Sequence, residues 1–300
     1  MTTNTQTAKK LDGTVEIPVT VPKARVDSAY QKLLHETTKN AEIKGFRKGK
    51  APKNTVEKNI DKSAIYQKVL QSLLPDLLST AIKTNNLKPI SNPQLKTISM
   101  QEGHDWQFTL KIVEFPQFKL GKYKDHIRGA LRASKIWVPG DEKASSTQPK
   151  TSPEPKTQNK QTLTDKRLKK VFDTLLEKID VPVAKILIDE EVNRSLSKLL
   201  DQVQKLGLTI EQYLQSMGKN TDSLRKDYQK TAKTNLKLEF ILHKIGDDLK
   251  IPVSEQEIQT MIDALPDEKT KQAYQKPAQK NYLKGVVRKR KTIDALMKLG

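Results

Sequence analysis

The chain has 300 residues, 35% of them hydrophobic, and sets 55 basic against 35 acidic side chains for a net charge of +20. That length predicts two domains with lean cores, and the charge points to a nucleic-acid-rich or otherwise anionic partner. Cysteine is absent, which excludes a disulfide framework, a thiol nucleophile and a thiolate metal site. No apolar run approaches the length of a membrane span, and Met1 to Lys10 is polar without an apolar signal core. The expectation is a soluble cytoplasmic protein with no membrane partner.

In chain order, Leu11 to Val21 alternates Val15, Ile17, Val19 and Val21 with polar residues, the pattern of a strand with one buried face. Pro18 within it has no N–H and requires an edge, or a position whose N–H faces away from a neighbour. Pro22 then opens a helix whose apolar stripe (Val26, Ala29, Tyr30, Leu33, Leu34, Thr37, Ala41) runs to Ile43. A basic loop follows, Gly45-Phe46-Arg47-Lys48-Gly49-Lys50-Ala51-Pro52, with Lys44 and Lys53 beside it and no acid from Lys44 to Lys53. Gly45 and Gly49 permit a tight reversal, and Pro52 suits the first turn of a helix. Two readings stand on composition alone: a docking tip that exposes Phe46 amid positive charge, or a solvated helix-helix turn with Phe46 tucked into the local core.

Pro52 to Ile60 predicts a short helix. Ser63 is the expected N-cap of a long one carrying Ile65, Val69, Leu73 and Leu77, kinked at Pro75 and ended by Asn85-Asn86. Leu95 to Gln101 and Trp106 to Glu114 read as two strands joined by Glu102-Gly103-His104-Asp105, with Ile98 and Met100 on an apolar face. Strand, three helices and two strands make an α+β domain over 1–116. His104 has no nucleophile or second histidine near it in sequence, so it is not taken as catalytic.

The Val19-Thr20-Val21-Pro22 register, the amphipathic helix after it and the eight residues Gly45 to Pro52 closely resemble the ribosome-binding domain of trigger factor, the bacterial nascent-chain chaperone family. The resemblance implies that Phe46, Arg47 and Lys48 form a docking tip beside the ribosomal tunnel exit and that Gly45, Gly49 and Pro52 shape it, with Lys50 adding charge and Lys44 and Lys53 as accessory cations. Members of the family usually carry an FKBP-like prolyl isomerase domain of roughly a hundred residues next. Fewer than fifty separate Phe115 from Thr164 here, and Lys143 to Gln161 is dominated by Ser, Thr, Pro, Gln and Lys, a linker composition. The expectation is a basic linker over 117–163, no isomerase domain and no enzyme activity. Lys119 to Val138 reads as either strand or short helix, and its Lys119, Lys122, Lys124, Arg128, Arg132 and Lys135 as either ribosomal RNA contacts or a solvated face.

From Thr164, the expected cap of the next helix, the period is helical almost to the end, predicting an all-α domain over 164–300. Val181-Pro182 and Gly207 bound a helix with Val192, Leu199, Val203 and Leu206 on its stripe, and Gly246 is the expected stop of a long helix that starts near Asp222. Thr209 with Gln212, and Ser254 with Glu257, have capping-box spacing. There is no phosphate loop, metal-ligand spacing or buried carboxylate pair, so neither ATP nor any cofactor is expected. Asp180-Val181-Pro182, Ile188-Asp189-Glu190-Glu191 and Ile251-Pro252-Val253-Ser254 are similar to the C-terminal, client-binding domain of the same family. Tyr228, Phe240, Met261, Tyr282 and Met297 are the candidates for a surface that takes unfolded chains, each also readable as core. The implied activity is an ATP-independent chaperone that docks on ribosomal protein and rRNA near the tunnel exit and shields nascent and unfolded polypeptides. A homodimer is a further expectation. The alternatives are a ribosome-independent holdase of the related helical fold and a general basic RNA-binding protein.

Overall fold

Val15, Ile17, Val19 and Val21, each at most 7% exposed, turn one face of a strand into a core and so set the plane of the first unit. The computed structural model describes residues 8–40, 46, 52, 55, 57, 61–133 and 156–299, of which 8, 40 and 156–162 by backbone alone. It divides into two compact units, Met1–Pro116 and Gln117–Gly300.

In the first unit β1 (Ala8–Lys9), β2 (Thr14–Val21), β3 (Gln94–Ser99) and β4 (Trp106–Val113) form an antiparallel sheet in the order β1-β2-β4-β3. The central strand begins at Thr14 rather than Leu11, because the chain reverses at Gly13 after the unforeseen β1; Leu11 is left 75% exposed. Gly13 has φ +83°, and a Cβ there would meet the Glu114 carbonyl oxygen at 2.1 Å. Only glycine fits this approach. Pro18 obeys its constraint. Lys10 donates to the Thr14 carbonyl on the β1 side, so even-numbered residues of β2 aim their backbone groups that way, and Pro18 lies beyond the two residues that β1 covers.

α1 (Lys23–Asn40) and α2 (Lys62–Thr84) pack together and cover the apolar face of the sheet with Val26, Tyr30 and Leu34 from one and Ile65, Val69, Leu73, Leu77 and Ala81 from the other. Each such aliphatic side chain contributes about 1.5–3 kcal/mol by leaving water. α1 begins where the Asp105 carboxylate accepts from Lys23 N at 2.8 Å. The N-cap of α2 is Asp61, not Ser63: its Oδ1 accepts from Ser63 N at 2.9 Å, and a carboxylate also favours the positive helix end. α2 runs through Pro75 as one element and closes on Asn85, with Asn86 at φ +48°. Ile98 is 60% exposed instead of inward, because a bulge between Thr97 and Ser99 shifts the register there; Met100 packs on the core. Most of the helix expected over Pro52 to Ile60 lies outside the described residues, though Thr55 and Glu57 within it are helical.

Among its described residues the second unit has helices and no strand: α3 (Tyr123–Ala133), α4 (Lys156–Lys178), α5 (Lys185–Lys205), α6 (Ile210–Ser216), α7 (Thr221–Asp248), α8 (Glu255–Asp263), α9 (Glu268–Tyr274) and α10 (Pro277–Met297). The segment expected as a linker over 117–163 is folded at both ends. Tyr123, Ile127 and Leu131, spaced by four, are buried in α3, which packs on α4. Lys244 donates to the Phe118 carbonyl and stands 4.3 Å above the Phe118 ring, and Tyr123 donates to Asp248 Oδ2 at 2.7 Å. α4 starts at Lys156, which puts Thr164 inside the helix and not at its cap.

The expected capping boxes at Thr209/Gln212 and Ser254/Glu257 form, and Asn220 with Ser223 forms a third at the start of α7. Gly246 does not stop α7, which continues to Asp248. Its missing Cβ serves packing: a Cβ there would stand 3.0 Å from Thr292 Oγ1 and 3.4 Å from Arg288 Nε on α10. Lys250 at φ +48° turns the chain instead.

Candidate functional site

Tyr30 on α1 and Tyr66 on α2 stack with ring centroids 5.0 Å apart, and Tyr66 meets Trp106 of β4 edge-on at 5.6 Å. This aromatic series ties the helix pair to the sheet. At its outer end Tyr30 Oη donates to Glu57 Oε1 at 3.0 Å, fixing the segment after the basic loop to α1. Burial pushes the Tyr30 phenol above its ordinary range, and the Glu57 carboxylate adds to the shift, so the proton stays on the phenol. Thr55 N donates to the Pro52 carbonyl at 2.9 Å, the first turn that a proline start permits.

Of the loop residues, Phe46 is 45% exposed and Pro52 is exposed. Gly45, Arg47, Lys48, Gly49 and Lys50, with Lys44 and Lys53, lie outside the described residues. An apolar ring at that exposure between cations offers one greasy contact and surrounding charge, which suits a polyanionic surface with an apolar recess. Of the accessory basic residues after the sheet, Lys124 is 3.4 Å from Asp248 and Arg128 pairs with Asp125 at 3.2 Å, so both already have carboxylate partners; Lys135 lies outside the described residues.

The client-surface candidates divide. Phe240 is 7% exposed and packed inside the helical unit, so it is a core residue and not a surface one. Tyr228 is half-buried against the cluster of Leu199, Val203, Leu214 and Leu224. Met261 and Tyr282 are 37% and 65% exposed, and Met297 is half-buried. Sequence reasoning missed the residues at the two ends of α6. Leu206, expected on the buried stripe, caps α5 at 73% exposure, and Leu208 and Met217 are 43% and 46% exposed. The available signal was their place beside Gly207 and Gly218, both at positive φ, where the helical period has ended. Among the described residues no group of three His, Cys, Asp or Glu could hold a metal ion, and no helix is long and apolar enough to cross a membrane. His104 is exposed, and its Nδ1 lies 3.0 Å from the Glu102 carbonyl in the hairpin turn.

The described residues form a sheet backed by a helix pair in one unit and a set of helices with exposed apolar residues in the other. The family model for bacterial trigger factor protein matches residues 3–133, and that for the bacterial trigger factor protein C-terminus matches residues 149–298. The chain belongs to the trigger factor family. Similar proteins include trigger factors of Staphylococcus carnosus, 34% identical over 121 residues (40% of this chain, 28% of that protein), and Ligilactobacillus salivarius, 33% identical over 119 residues (39% and 27%). The trigger factor of Clostridium botulinum is 32% identical over 110 residues (37% and 26%). The chain spans about a quarter of the length of the curated relatives it matches. A solved structure described as promiscuous substrate recognition in folding and assembly activities of the trigger factor chaperone superposes with a TM-score of 0.59 over 99% of both chains at 12% identity, a likeness of fold.

Proposed function

We propose that this chain is a cytoplasmic, ATP-independent chaperone that docks at the ribosomal tunnel exit through Gly45 to Pro52 and shields nascent polypeptides with its helical unit. The observation that carries the reading is Phe46, exposed in a basic loop that follows α1 in the module matched to the trigger factor N-terminal family. Arg47, Lys48 and Lys50, with Lys44 and Lys53, supply charge for rRNA phosphates while Phe46 seats against ribosomal protein. Exposed Leu206, Leu208, Met217, Met261 and Tyr282 supply many weak contacts to unfolded segments. The proposal includes the absence of prolyl isomerase activity. The two family matches leave fifteen residues, 134–148, between them, too few to fold around a proline ring.

The test is ribosome pelleting with wild type and with Phe46→Ala/Arg47→Ala/Lys48→Ala. Wild type saturates at one per ribosome and the triple variant loses at least tenfold in affinity, roughly the effect of removing one apolar anchor and two phosphate contacts. Equal co-sedimentation of the two would end the docking reading. The net charge of +20 favours a second reading, a general RNA-binding protein. That reading requires tight, salt-sensitive binding to naked RNA without saturation at one site.

A further inference from the structure

Tyr282, Val286, Lys289, Arg290 and Met297 share one side of α10, because steps of four, seven or eight, and fifteen residues each return to nearly the same bearing on a helix. Tyr282 is 65% exposed and Val286 37%, Lys289 and Arg290 are exposed, and Met297 is half-buried. Other sides of the helix bury Leu283, Val287, Thr292 and Leu296. From Tyr282 to Met297 the strip is about 22 Å long, the reach of an extended segment of roughly seven residues.

The charge of the strip is one-sided. α10 carries Lys280, Lys284, Arg288, Lys289, Arg290 and Lys291 against the single acid Asp294, which offsets one charge near the end of the strip. Two of the cations are engaged inside the unit: Arg288 pairs with Asp247 at 2.7 Å, and Lys291 pairs with Glu257 at 2.6 Å and donates to the Pro252 carbonyl at 2.8 Å. Lys289 and Arg290 stand between the apolar residues and point a positive field at whatever lies on them. A phosphate backbone would satisfy the cations and leave Val286 and Met297 against water. A segment with apolar side chains at its ends and a carboxylate between them satisfies both.

We propose that this face of α10 binds unfolded polypeptide segments in which acidic residues lie among apolar ones. The inference rests on the client-binding reading above and adds the charge of the preferred segment, with Lys289 and Arg290 as its selectors.

The experiment measures fluorescence anisotropy of three labelled peptides with the same apolar residues and central positions filled by Asp/Glu, Asn/Gln or Lys, against the full chain and Lys289→Glu/Arg290→Glu. Both substituted residues are exposed, and a far-UV spectrum checks that the fold is kept. Wild type binds the acidic peptide roughly three- to tenfold tighter than the lysine peptide, as two solvent-facing ion pairs allow, and the double reversal inverts the order. An unchanged acid preference in the variant overturns the proposal, and so does displacement of the acidic peptide from wild type by an equal concentration of an RNA oligonucleotide. A change in self-association with no change in peptide order also overturns it, by giving the face to a second copy. In each of these cases aggregation suppression by wild type leaves the client-binding reading standing. Wild type that neither binds any of the peptides nor suppresses aggregation removes that reading itself.

Discussion

Tyr30 on α1 donates its hydroxyl to Glu57, a residue that follows the basic loop, at 3.0 Å, while its ring stacks on Tyr66 of α2. Glu57 is therefore held to α1 by a brace that leaves the ring stack independent. Tyr30→Phe keeps the stack and removes the brace. It should lower stability by about 1 kcal/mol and weaken ribosome pelleting a few-fold, through greater freedom at the tip. Pelleting equal to wild type at matched stability would show that the brace does not position the loop.

Asp105, the residue before β4, holds the start of α1, accepting from Lys23 N. Asp105→Ala leaves that N–H without its acceptor and removes a negative charge from the helix N-terminus. The expected loss is about 1 kcal/mol in urea unfolding with an unchanged slope; Asp105→Asn, which keeps an acceptor, should cost less.

The crossing of α7 and α10 depends on Gly246. Thr292 is fully buried and its Oγ1 donates to the Arg288 carbonyl at 2.8 Å, so it has little room to retreat from a new Cβ 3.0 Å away. Gly246→Ala should cost about 1–3 kcal/mol despite the better helix propensity of alanine. Thr292→Ala removes the obstructing oxygen. The double variant should be more stable than the sum of the two single effects by about 1 kcal/mol, and strict additivity would argue against the contact.

Acid should loosen the first unit through Glu114 and Glu16. Burial pushes the Glu114 carboxyl up, but the Lys9 ammonium at 2.6 Å and the Lys88 N–H outweigh it and hold it below the ordinary 4.5. A side-chain hydrogen bond from Lys10 lowers Glu16, against burial and with help from Lys111. Folded values below the unfolded one mean stability that is complete above pH 4.5 and is lost as pH falls through the lowered values. Thermal midpoints should drop from about pH 5 to about pH 3, and Glu114→Gln should show a lower midpoint at neutral pH with a shallower acid slope.

Periodicity made the core legible. The four valine and isoleucine positions of β2 and the stripes of α1, α2 and α5 follow from spacing alone, because burial of one face leaves little choice of register. Capping boxes at Thr209 and Ser254 were legible for the same reason: the partner is three residues away. What depends on distant chain was not. Asp105 capping α1 from the head of β4, Gly246 making room for Thr292, and the β1 strand that starts β2 at Thr14 all require knowing which elements meet. Gly246 carries the same letter as the true stop at Gly207, and only packing separates them. At the candidate site, the loop was legible as a motif and the exposure of Phe46 was not. Phe240 and Leu206 exchanged places, since apolar residues on a helix announce a face and not its neighbour.

With the Glu114 N–H bonded to the Gly13 carbonyl at 2.9 Å and no space between them for a Cβ, the residue before β2 and the residue after β4 are fastened at one point. Everything the first unit needs in order to close precedes Pro116. A side chain at position 13 would part the start of β2 from the end of β4.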